Sequence, residues 1–313
     1  MGTIHIQRRK EGIMMKIGVI GGGSIGLLFS HYLSAKHSLT LLARRKDQAF
    51  QINEKGITLI HDGTSTTICN ISATVMSDAL SSQDIIIIAV KQYNLSTLLP
   101  ILNSIPPEIP LIFLQNGLAH IEQIDRLNQK TIIVGTVEHG CQKITDATVK
   151  HNGFGKTLLA PYRGDIEHIR WLISDFKDTF PFLIHGDWKE VLFRKLIINA
   201  VINPLTSILK VENGGLIENP YYLHLMMSIL EELLPLVPML NEEKMKADIL
   251  KICENTKENR SSMLKDIDAG RKTEIDAILG YAIELGKKRQ HSMPICNVMY
   301  AMVKGKEADQ GES

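Results

Sequence analysis

Three polar residues spaced four apart stand in a segment that is otherwise nearly all apolar: Lys195, Asn199 and Asn203, within LFRKLIINAVINPLTSI. At 3.6 residues per turn, positions i, i+4 and i+8 form one stripe along a helix. The aliphatic residues on every other side of the stripe predict that this helix is buried. A buried ammonium and two buried amides are costly unless hydrogen-bonding or charged partners satisfy them.

Two interpretations of the stripe follow. In an internal network, Lys195 would pair with a carboxylate and the amides would bond to backbone. In a ligand-facing stripe, all three side chains would point at a bound small molecule. Three polar groups in register favour the ligand-facing stripe, because such costly groupings collect in active sites. Pro204 also predicts a kink just past Asn203, because it removes a helix hydrogen bond, and a kink would open space there.

The segment ENRSSMLKD carries a hydroxyl pair ahead of a helix-like stretch. Ser261 or Ser262 could contribute a hydroxyl to a site, but serine before a helix is more typical of an N-cap, whose side chain accepts a hydrogen bond from the first free backbone N–H groups. From the residues alone, the N-cap interpretation is favoured for either serine.

The segment TEID offers carboxylates to the buried lysine. Thr273 and Asp276 have the spacing of a capping box at a helix start. Glu274 and Asp276 are both candidates for the carboxylate that Lys195 requires, and their spacing does not choose between them.

These groups need elements that position them, and the first half of the chain supplies a strand–glycine loop–helix unit. Lys16 to Ile20 predict a short strand, and 27–34 predict a helix. In GxGxxG the first glycine allows the tight turn, the second lets the backbone approach a pyrophosphate, and the third lets the helix pack close to the strand. The helix N-terminus then offers N–H groups and a positive dipole end to phosphates. The residues of the predicted dinucleotide loop are Gly21, Gly22, Gly23, Ser24, Ile25 and Gly26.

The end of the second predicted strand, 39–43, indicates which dinucleotide is bound. An NAD-selective domain places Asp or Glu there to bind the ribose 2′-hydroxyl, whereas this chain has Arg44 and Arg45. A guanidinium can hold a 2′-phosphate through two hydrogen bonds. We therefore predict NADPH as the cofactor, with Arg44 in contact with it; the alternative is a solvated arginine pair.

Further strands are predicted at 85–90, 111–115 and 132–135. A continuous β-branched stretch such as 85–90 is typical of a central parallel strand. Lys91 and Asn116 follow two of these strands, at the carboxyl ends where ligands bind in open α/β sheets. Each residue either faces the cofactor crevice or is an ordinary polar residue at a strand end.

From 188 onwards the spacing of apolar residues becomes helical, over 188–209, 220–239, 242–257, 260–268 and 273–289. The fold class predicted is α/β: an N-terminal Rossmann-type doubly wound parallel sheet over 15–186, followed by an all-α C-terminal domain over 187–307. In such an arrangement one wall of a cleft would hold the cofactor and the other would supply the substrate and catalytic groups. A polar tail is expected after Lys304.

Composition limits the partners. The 313 residues include 35 basic and 34 acidic ones, for a formal net charge of +1, which does not favour nucleic acid. Cysteines at 69, 141, 253 and 296 lack metal spacing, and no HExxH motif occurs, so no metal site is predicted. The longest aliphatic stretch, 85–90, is too short to span a bilayer. A soluble cytoplasmic protein is expected, with a loose N-terminal extension before Met14 or Met15.

Several segments together resemble the ketopantoate reductase (2-dehydropantoate 2-reductase) family, over nearly the whole chain from Lys16 to about Lys306. They are GGGSIG, Gln115-Asn116-Gly117, WKEVLFRKLIINAVINPLT, ENRSSMLKDI and TEIDAILG. The resemblance implies NADPH-dependent reduction of 2-dehydropantoate to (R)-pantoate in pantothenate biosynthesis.

The resemblance also implies roles for residues. Lys195 matches the catalytic lysine, and Glu274 matches the carboxylate near the lysine and the nicotinamide, which selects it over Asp276. Arg44 matches the arginine that binds the NADPH phosphate, and Lys91 a lysine near the cofactor. The positions that match substrate contacts are Asn199, Asn203, Asn213 and Ser262, together with Asn116, which also lies near the cofactor. The chain departs from the family pattern over 138–141 and at Gly215.

Two other functions stay open at this stage. A paralogue could apply the same chemistry to a different 2-oxo acid, because the polar stripe does not by itself specify ketopantoate. A NADP(H)-binding regulatory module would need no turnover, although a retained lysine and carboxylate argue against it. A homodimer is also left open, with an exposed apolar face on 220–239 as the place to look.

Overall fold

The structure, a computed structural model, describes residues 14–309, so the predicted loose extension over 1–13 lies outside the described residues. The strands are β1 (Lys16–Ile20), β2 (Ser38–Leu42), β3 (Ile57–His61), β4 (Thr64–Ile68), β5 (Ile71–Thr74), β6 (Ile85–Ile88), β7 (Leu111–Phe113), β8 (Ile132–Val137), β9 (Gly140–Lys143), β10 (Thr148–Gly153), β11 (Thr157–Arg163) and β12 (Phe182–Ile184). The α-helices are α1 (Ser24–Ser34), α2 (Lys46–Lys55), α3 (Leu95–Ser104), α4 (Ile121–Ile124), α5 (Trp171–Phe176), α6 (Trp188–Leu209), α7 (Gly215–Glu218), α8 (Pro220–Leu233), α9 (Glu242–Asn255), α10 (Ser262–Asp268), α11 (Tyr281–Lys288) and α12 (Pro294–Asp309), with a π-helical turn at Asp276–Gly280.

The main sheet has the order β12-β11-β8-β7-β6-β1-β2-β5. The strands from β5 to β8 pair in parallel, and their chain order across the sheet is the 3-2-1-4-5-6 of a Rossmann fold. The predicted α/β fold is thereby confirmed. Strand β11 pairs antiparallel with β8 and parallel with β12, so the last two strands run against the rest.

A second sheet of four strands, in the order β4-β3-β10-β9, was not predicted. It depends on the pairing of β3 with β10, which are far apart in the chain. Strand β4 is mostly exposed and polar, so its sequence lacks the apolar alternation that indicates a half-buried strand. The sheet carries the β9–β10 hairpin to the glycine loop.

Helix α6 is the central element of the helical half, as predicted. Asp187 caps its start by accepting a hydrogen bond from the Lys189 backbone N–H at 2.8 Å. The helix continues through Pro204 to Leu209, so the proline does not end it. Among the described residues, α6 alone is long and apolar enough to cross a bilayer, but 83% of its most apolar window is buried within the protein, as expected of a core helix.

The two halves share one hydrophobic core. A single cluster of buried side chains joins Ile88 and Phe113 of the main sheet to Leu196 and Ile197 of α6. Burial of apolar surface on this scale stabilises the domains against each other, and so fixes the wall formed by α6 relative to the carboxyl ends of the strands.

The predicted end of one helix was wrong. The helix predicted over 220–239 ends as α8 at Leu233, because Pro235 and Pro238 cannot donate the next helix hydrogen bonds. The polar segment after Lys304 continues as helix to Asp309. There Lys304 Nζ lies 2.7 Å from Glu307, whose other oxygen accepts bonds from Thr273.

Candidate active site

The glycine loop between β1 and α1 is shaped by its lack of side chains. Gly21 has φ +115°, which side chains rarely tolerate, and a Cβ on Gly26 would lie 1.7 Å from the Gly21 carbonyl oxygen. The position of a Cβ on Gly23, by contrast, has no atom within 4 Å. The loop is therefore tight on its inner side and open where a phosphate group would approach.

A cavity of about 900 Å³ lies between the Rossmann domain and the helical domain. It includes the point where the strand order reverses, between β1 and β6, which is the binding position in such sheets. The predicted site residues that line it are Gly21, Gly22, Gly23, Ser24, Ile25, Arg44, Lys91, Asn116, Lys195, Asn199, Ser262 and Glu274.

Three predicted residues do not line this cavity. Gly26 is buried beneath the loop. Asn203, one turn beyond Asn199, is 7% exposed and outside the lining. Asn213 donates from Nδ2 to Thr256 Oγ1 at 2.8 Å, and its backbone N–H bonds to the Asn259 carbonyl, so it braces the α7 region rather than the cavity.

Lys195 lies on the cavity wall without a hydrogen bond or ion pair to any residue within 14–309. Burial lowers the pKa of Lys195, Glu138 opposes that shift, and the neighbouring Arg194 adds to it. The expectation that Glu274 supplies the opposing charge was wrong. Glu138 does so: it follows β8, which packs against α6, and it lies 3.6 Å from Arg194.

Glu274 is instead part of a network across the domain interface. Lys91 Nζ lies 3.3 Å from Glu274 and 3.0 Å from Asp266, and Asn116 Nδ2 donates to Glu274 at 3.0 Å. Burial lowers the pKa of Lys91, but the two carboxylates outweigh that effect and raise it. Lys91 and Asn116 therefore face the cavity rather than solvent, which answers the question their strand-end positions left open.

Asp266 is a member of this network that the sequence interpretation missed. It is 8% exposed and also accepts a hydrogen bond from Arg271 Nε at 3.0 Å. An aspartate at the fifth position of a short helix carries no local signal of such a role. Its partner Lys91 is distant in the chain.

The π-helical turn after Glu274 fixes where the Glu274 side chain lies relative to the loop after β7. The Glu274 carbonyl accepts bonds from the backbone N–H groups of Ala277 and Ile278, both at 3.1 Å. A Cβ on Gly117 would lie 2.1 Å from the Ala277 carbonyl oxygen, so only glycine lets the loop after β7 approach this turn. Single π-turns often mark functional sites, and this one brings Glu274 to Asn116.

Ser261 and Ser262 have different roles, one as an N-cap and the other in the cavity wall. Ser261 Oγ accepts a hydrogen bond from the Leu264 backbone N–H at 3.1 Å and is the N-cap of α10. Ser262, the next residue, lines the cavity. Capping by the first serine leaves the hydroxyl of the second available to a ligand.

Other lining residues were not among the predicted site residues, although two of them lie in the segment 138–141 that departs from the family pattern. His139 and Cys141 lie on or beside β9, and burial raises the pKa of the Cys141 thiol to about 11. A further set lies along one face of α3 and its N-cap residue, at i, i+3, i+4 and i+7: Asn94, Thr97, Leu98 and Ile101. That spacing was visible in the sequence, but it is equally typical of any half-buried helix. Within 14–309, no three His, Cys, Asp or Glu side chains are grouped to hold a metal ion.

A glycine loop at the switch point of a Rossmann sheet, facing a lysine-bearing helical wall, defines a dinucleotide-dependent oxidoreductase of two domains. Residues 17–164 match the family model described as Ketopantoate reductase PanE/ApbA, and residues 187–307 match the model of its C-terminal domain. The chain belongs to the ketopantoate reductase family, as the sequence motifs predicted.

Individual relatives agree. The chain is 40% identical to a 2-dehydropantoate 2-reductase of Listeria monocytogenes, over 94% of this chain and 98% of that protein. A crystal structure of a probable 2-dehydropantoate 2-reductase from Bacillus subtilis superposes with a TM-score of 0.86 at 36% identity, over 94% of this chain and all of that one. A D-mandelate dehydrogenase with NADH and anilino(oxo)acetate has the same fold, with a TM-score of 0.81 at 22% identity, over 95% and 99% of the two chains.

Proposed function

We propose that this protein reduces 2-dehydropantoate (ketopantoate) to (R)-pantoate with NADPH, as a step of pantothenate and coenzyme A biosynthesis. The observation that carries the proposal is the single cavity shared by the glycine loop of one domain and by Lys195 and Asn199 of the other. Family membership and 40% identity to a named 2-dehydropantoate 2-reductase support the choice of substrate.

The residues present suit a dinucleotide phosphate. The open side of the glycine loop and the N-terminus of α1 suit a pyrophosphate. Arg44 is exposed at the end of β2, lines the cavity and has no ion pair within the described residues. A guanidinium in that position favours a 2′-phosphate over a bare 2′-hydroxyl.

When bound, NADPH would supply a hydride to the C2 ketone of the 2-oxo acid. Lys195 would stabilise the negative charge that grows on the carbonyl oxygen and donate the proton to it. The lowered pKa of Lys195 makes its ammonium a stronger acid, and Glu138 opposes that shift. Glu274, held by Asn116 and Lys91, would position the cofactor beside it.

The substrate would be held by amides and a hydroxyl. Asn199, Asn116 and Ser262 all line the cavity and can bond the carboxylate and the distal hydroxyl of ketopantoate. A site that bonds a substrate hydroxyl can reject an analogue without it by ~10⁴-fold, because its own polar groups are left unpaired.

A second candidate is a reductase of another 2-oxo acid. It is favoured by the similarity of this fold to that of a D-mandelate dehydrogenase, since proteins with this one architecture act on substrates with different side chains. The same residues would carry the same chemistry, and the difference would lie in the substrate arm.

Consumption of NADPH at 340 nm with ketopantoate, against 2-oxoisovalerate, tests the proposal. The second acid lacks the hydroxymethyl arm and is otherwise matched. Turnover of ketopantoate with a kcat/KM at least 100-fold higher is expected. Comparable or faster turnover of 2-oxoisovalerate would replace the proposal by the second candidate, and no turnover of ketopantoate would refute the proposed substrate.

We also propose a cytoplasmic protein that forms a homodimer. The four cysteines are free, which suits a reducing compartment. On α8, Tyr221 is 82% exposed, so this helix stays the first place to look for a dimer contact. Light scattering after size exclusion would give the mass in solution, and a monomer at micromolar concentration would refute the dimer.

A further inference from the structure

The β9–β10 hairpin brings a lysine to the glycine loop from a distant part of the chain. Cys141 and Lys143 are two apart on β9, so their side chains share one face, and both line the cavity. Gln142 between them is exposed on the other face. Lys143 is therefore directed at the cofactor side of the hairpin.

Hydrogen bonds hold this hairpin against the loop. Lys143 Nζ donates to the Gly22 carbonyl at 3.1 Å, and Gln48 Nε2 donates to Gly22 at 2.8 Å and to the Asp146 carbonyl at 2.9 Å. A Cβ on Gly22 would lie 2.5 Å from the Gln48 amide. Gly22 occupies a variable position (x) of GxGxxG, and this close packing accounts for the lack of a side chain there.

The same contacts place two cations on one carboxylate, and a third cation, Arg44, is next to one of them in the chain. Lys143 Nζ lies 2.8 Å from Asp146 Oδ1, and the Arg45 guanidinium contacts that same oxygen. Arg44 lines the adjoining surface. The cluster keeps a surplus of about two positive charges, because Asp146 neutralises only one. Its lysine and arginine side chains are 30% and 48% exposed, so both can still reach a ligand.

A phosphate monoester carries about −1.5 to −2 charge at neutral pH, which matches this surplus. We propose that Lys143 is a cofactor-specificity residue: with Arg44 and Arg45 it binds the 2′-phosphate of NADPH, and the β9–β10 hairpin is the element that delivers it. The inference rests on the proposed use of NADPH. It adds Lys143 to the two arginines at the end of β2 as a residue that contacts the 2′-phosphate.

Lys143→Met tests this, because methionine keeps the length of the side chain and removes the charge. We expect the Kd for NADPH, measured by fluorescence titration without substrate, to rise by roughly 10-fold, and the Kd for NADH to stay unchanged. Lys143→Arg should restore NADPH binding. Lys150→Met is the matched control, because Lys150 lies exposed on β10 opposite Gln142 and away from the cavity, and it should leave both constants unchanged.

An unchanged Kd for NADPH in Lys143→Met, or an equal rise for NADPH and NADH, would overturn the inference. Arg44→Ala separates this failure from failure of the cofactor proposal. If Arg44→Ala abolishes the preference for NADPH while Lys143→Met does not affect it, only the role of Lys143 falls. If the unmodified protein binds NADH as tightly as NADPH, the cofactor proposal itself falls.

Discussion

At the scale of single residues, the proposed chemistry depends on an ammonium group that has no hydrogen-bonding or ion-pair partner among residues 14–309. Lys195 lies on a mostly buried helix, faces a cavity and has only the longer-range influence of Glu138 and Arg194. A merely structural lysine in such a place would be paired, since an uncompensated buried charge is costly. A proton donor, by contrast, requires a free ammonium.

Lys195→Met should lower kcat by ~10²- to 10⁴-fold, the usual contribution of a general acid, while the Kd for NADPH stays near its original value. Stopped-flow turnover and fluorescence titration measure the two quantities. Lys189→Met changes an exposed residue on the first turn of the same helix. It is the control and should leave kcat and the Kd for NADPH unchanged. Near-normal turnover in Lys195→Met would remove its catalytic role.

Glu138→Gln should move the pH dependence of kcat. Glu138 raises the pKa of Lys195 against the effect of burial, so its removal lowers that pKa further. Because the ammonium must be protonated to act as an acid, activity is lost as pH rises through the pKa, and the alkaline limb should shift to lower pH. Glu108→Gln, exposed and remote beside Lys130, should not shift it. An unmoved limb would show that Glu138 does not influence the proton donor.

At the scale of elements, the carboxyl end of β6 is tied to α10 and to the π-helical turn. Lys91 contacts both Asp266 and Glu274, so one strand end holds two elements of the helical domain. Neither α10 nor the π-helical turn alone would place both carboxylates beside Lys91. The π-turn and Gly117 set how closely the two domains approach.

Asp266→Asn should reduce the free energy of unfolding by about 1–3 kcal/mol, the range for hydrogen bonds to charged groups in partly buried sites, because Lys91 and Arg271 both lose a charged partner. Urea unfolding measures it. Asp268→Asn, which removes a more exposed carboxylate of the same helix from its ion pair with Arg260, should cost less than about 1 kcal/mol. Equal losses in the two variants would show that the interdomain pair adds nothing specific.

At the scale of the whole molecule, several histidines are buried neutral. Burial lowers the pKa of His120 to about 4, of His139 to about 3 and of His151 to about 4. His139 stacks on Phe180 with ring centroids 4.2 Å apart, and His120 has neither ring nitrogen bonded within the described structure. Burial favours the uncharged form of each ring, and in that form His139 Nδ1 accepts a hydrogen bond from the Gly155 N–H while His151 Nδ1 bonds to the Tyr32 hydroxyl.

Stability should therefore fall on acidification. In the unfolded chain these histidines gain protons near pH 6.5, but in the folded protein they resist protonation until about pH 4. The unfolded state thus binds more protons, and the melting temperature should drop steadily as pH falls from about 6.5 towards 4. His120→Phe should flatten this slope, whereas His168→Gln, at an exposed position, should not. A flat profile in the unmodified protein would contradict the proposed burial effect.

The sequence by itself determined the features that neighbouring residues encode. The glycine loop requires particular backbone angles at Gly21 and close packing at Gly26, so its residue types identify it directly. The parallel strands and α6 were predicted from short stretches whose apolar residues have the pattern of a buried strand or a buried helix. The stripe of Lys195 and Asn199 facing the cavity was readable for the same reason, since helical geometry places i and i+4 on one face.

Only the tertiary structure decided which of several equivalent groups meet. Glu274 and Glu138 are both carboxylates near the site, yet chain packing directs the first to Lys91 and lets the second act on Lys195. Asn203 continues the helical stripe but falls outside the cavity, and the delivery of Lys143 to Gly22 depends on strand pairing across the second sheet. Contacts between distant segments depend on register and on the packing of whole elements, which no local pattern of residues specifies.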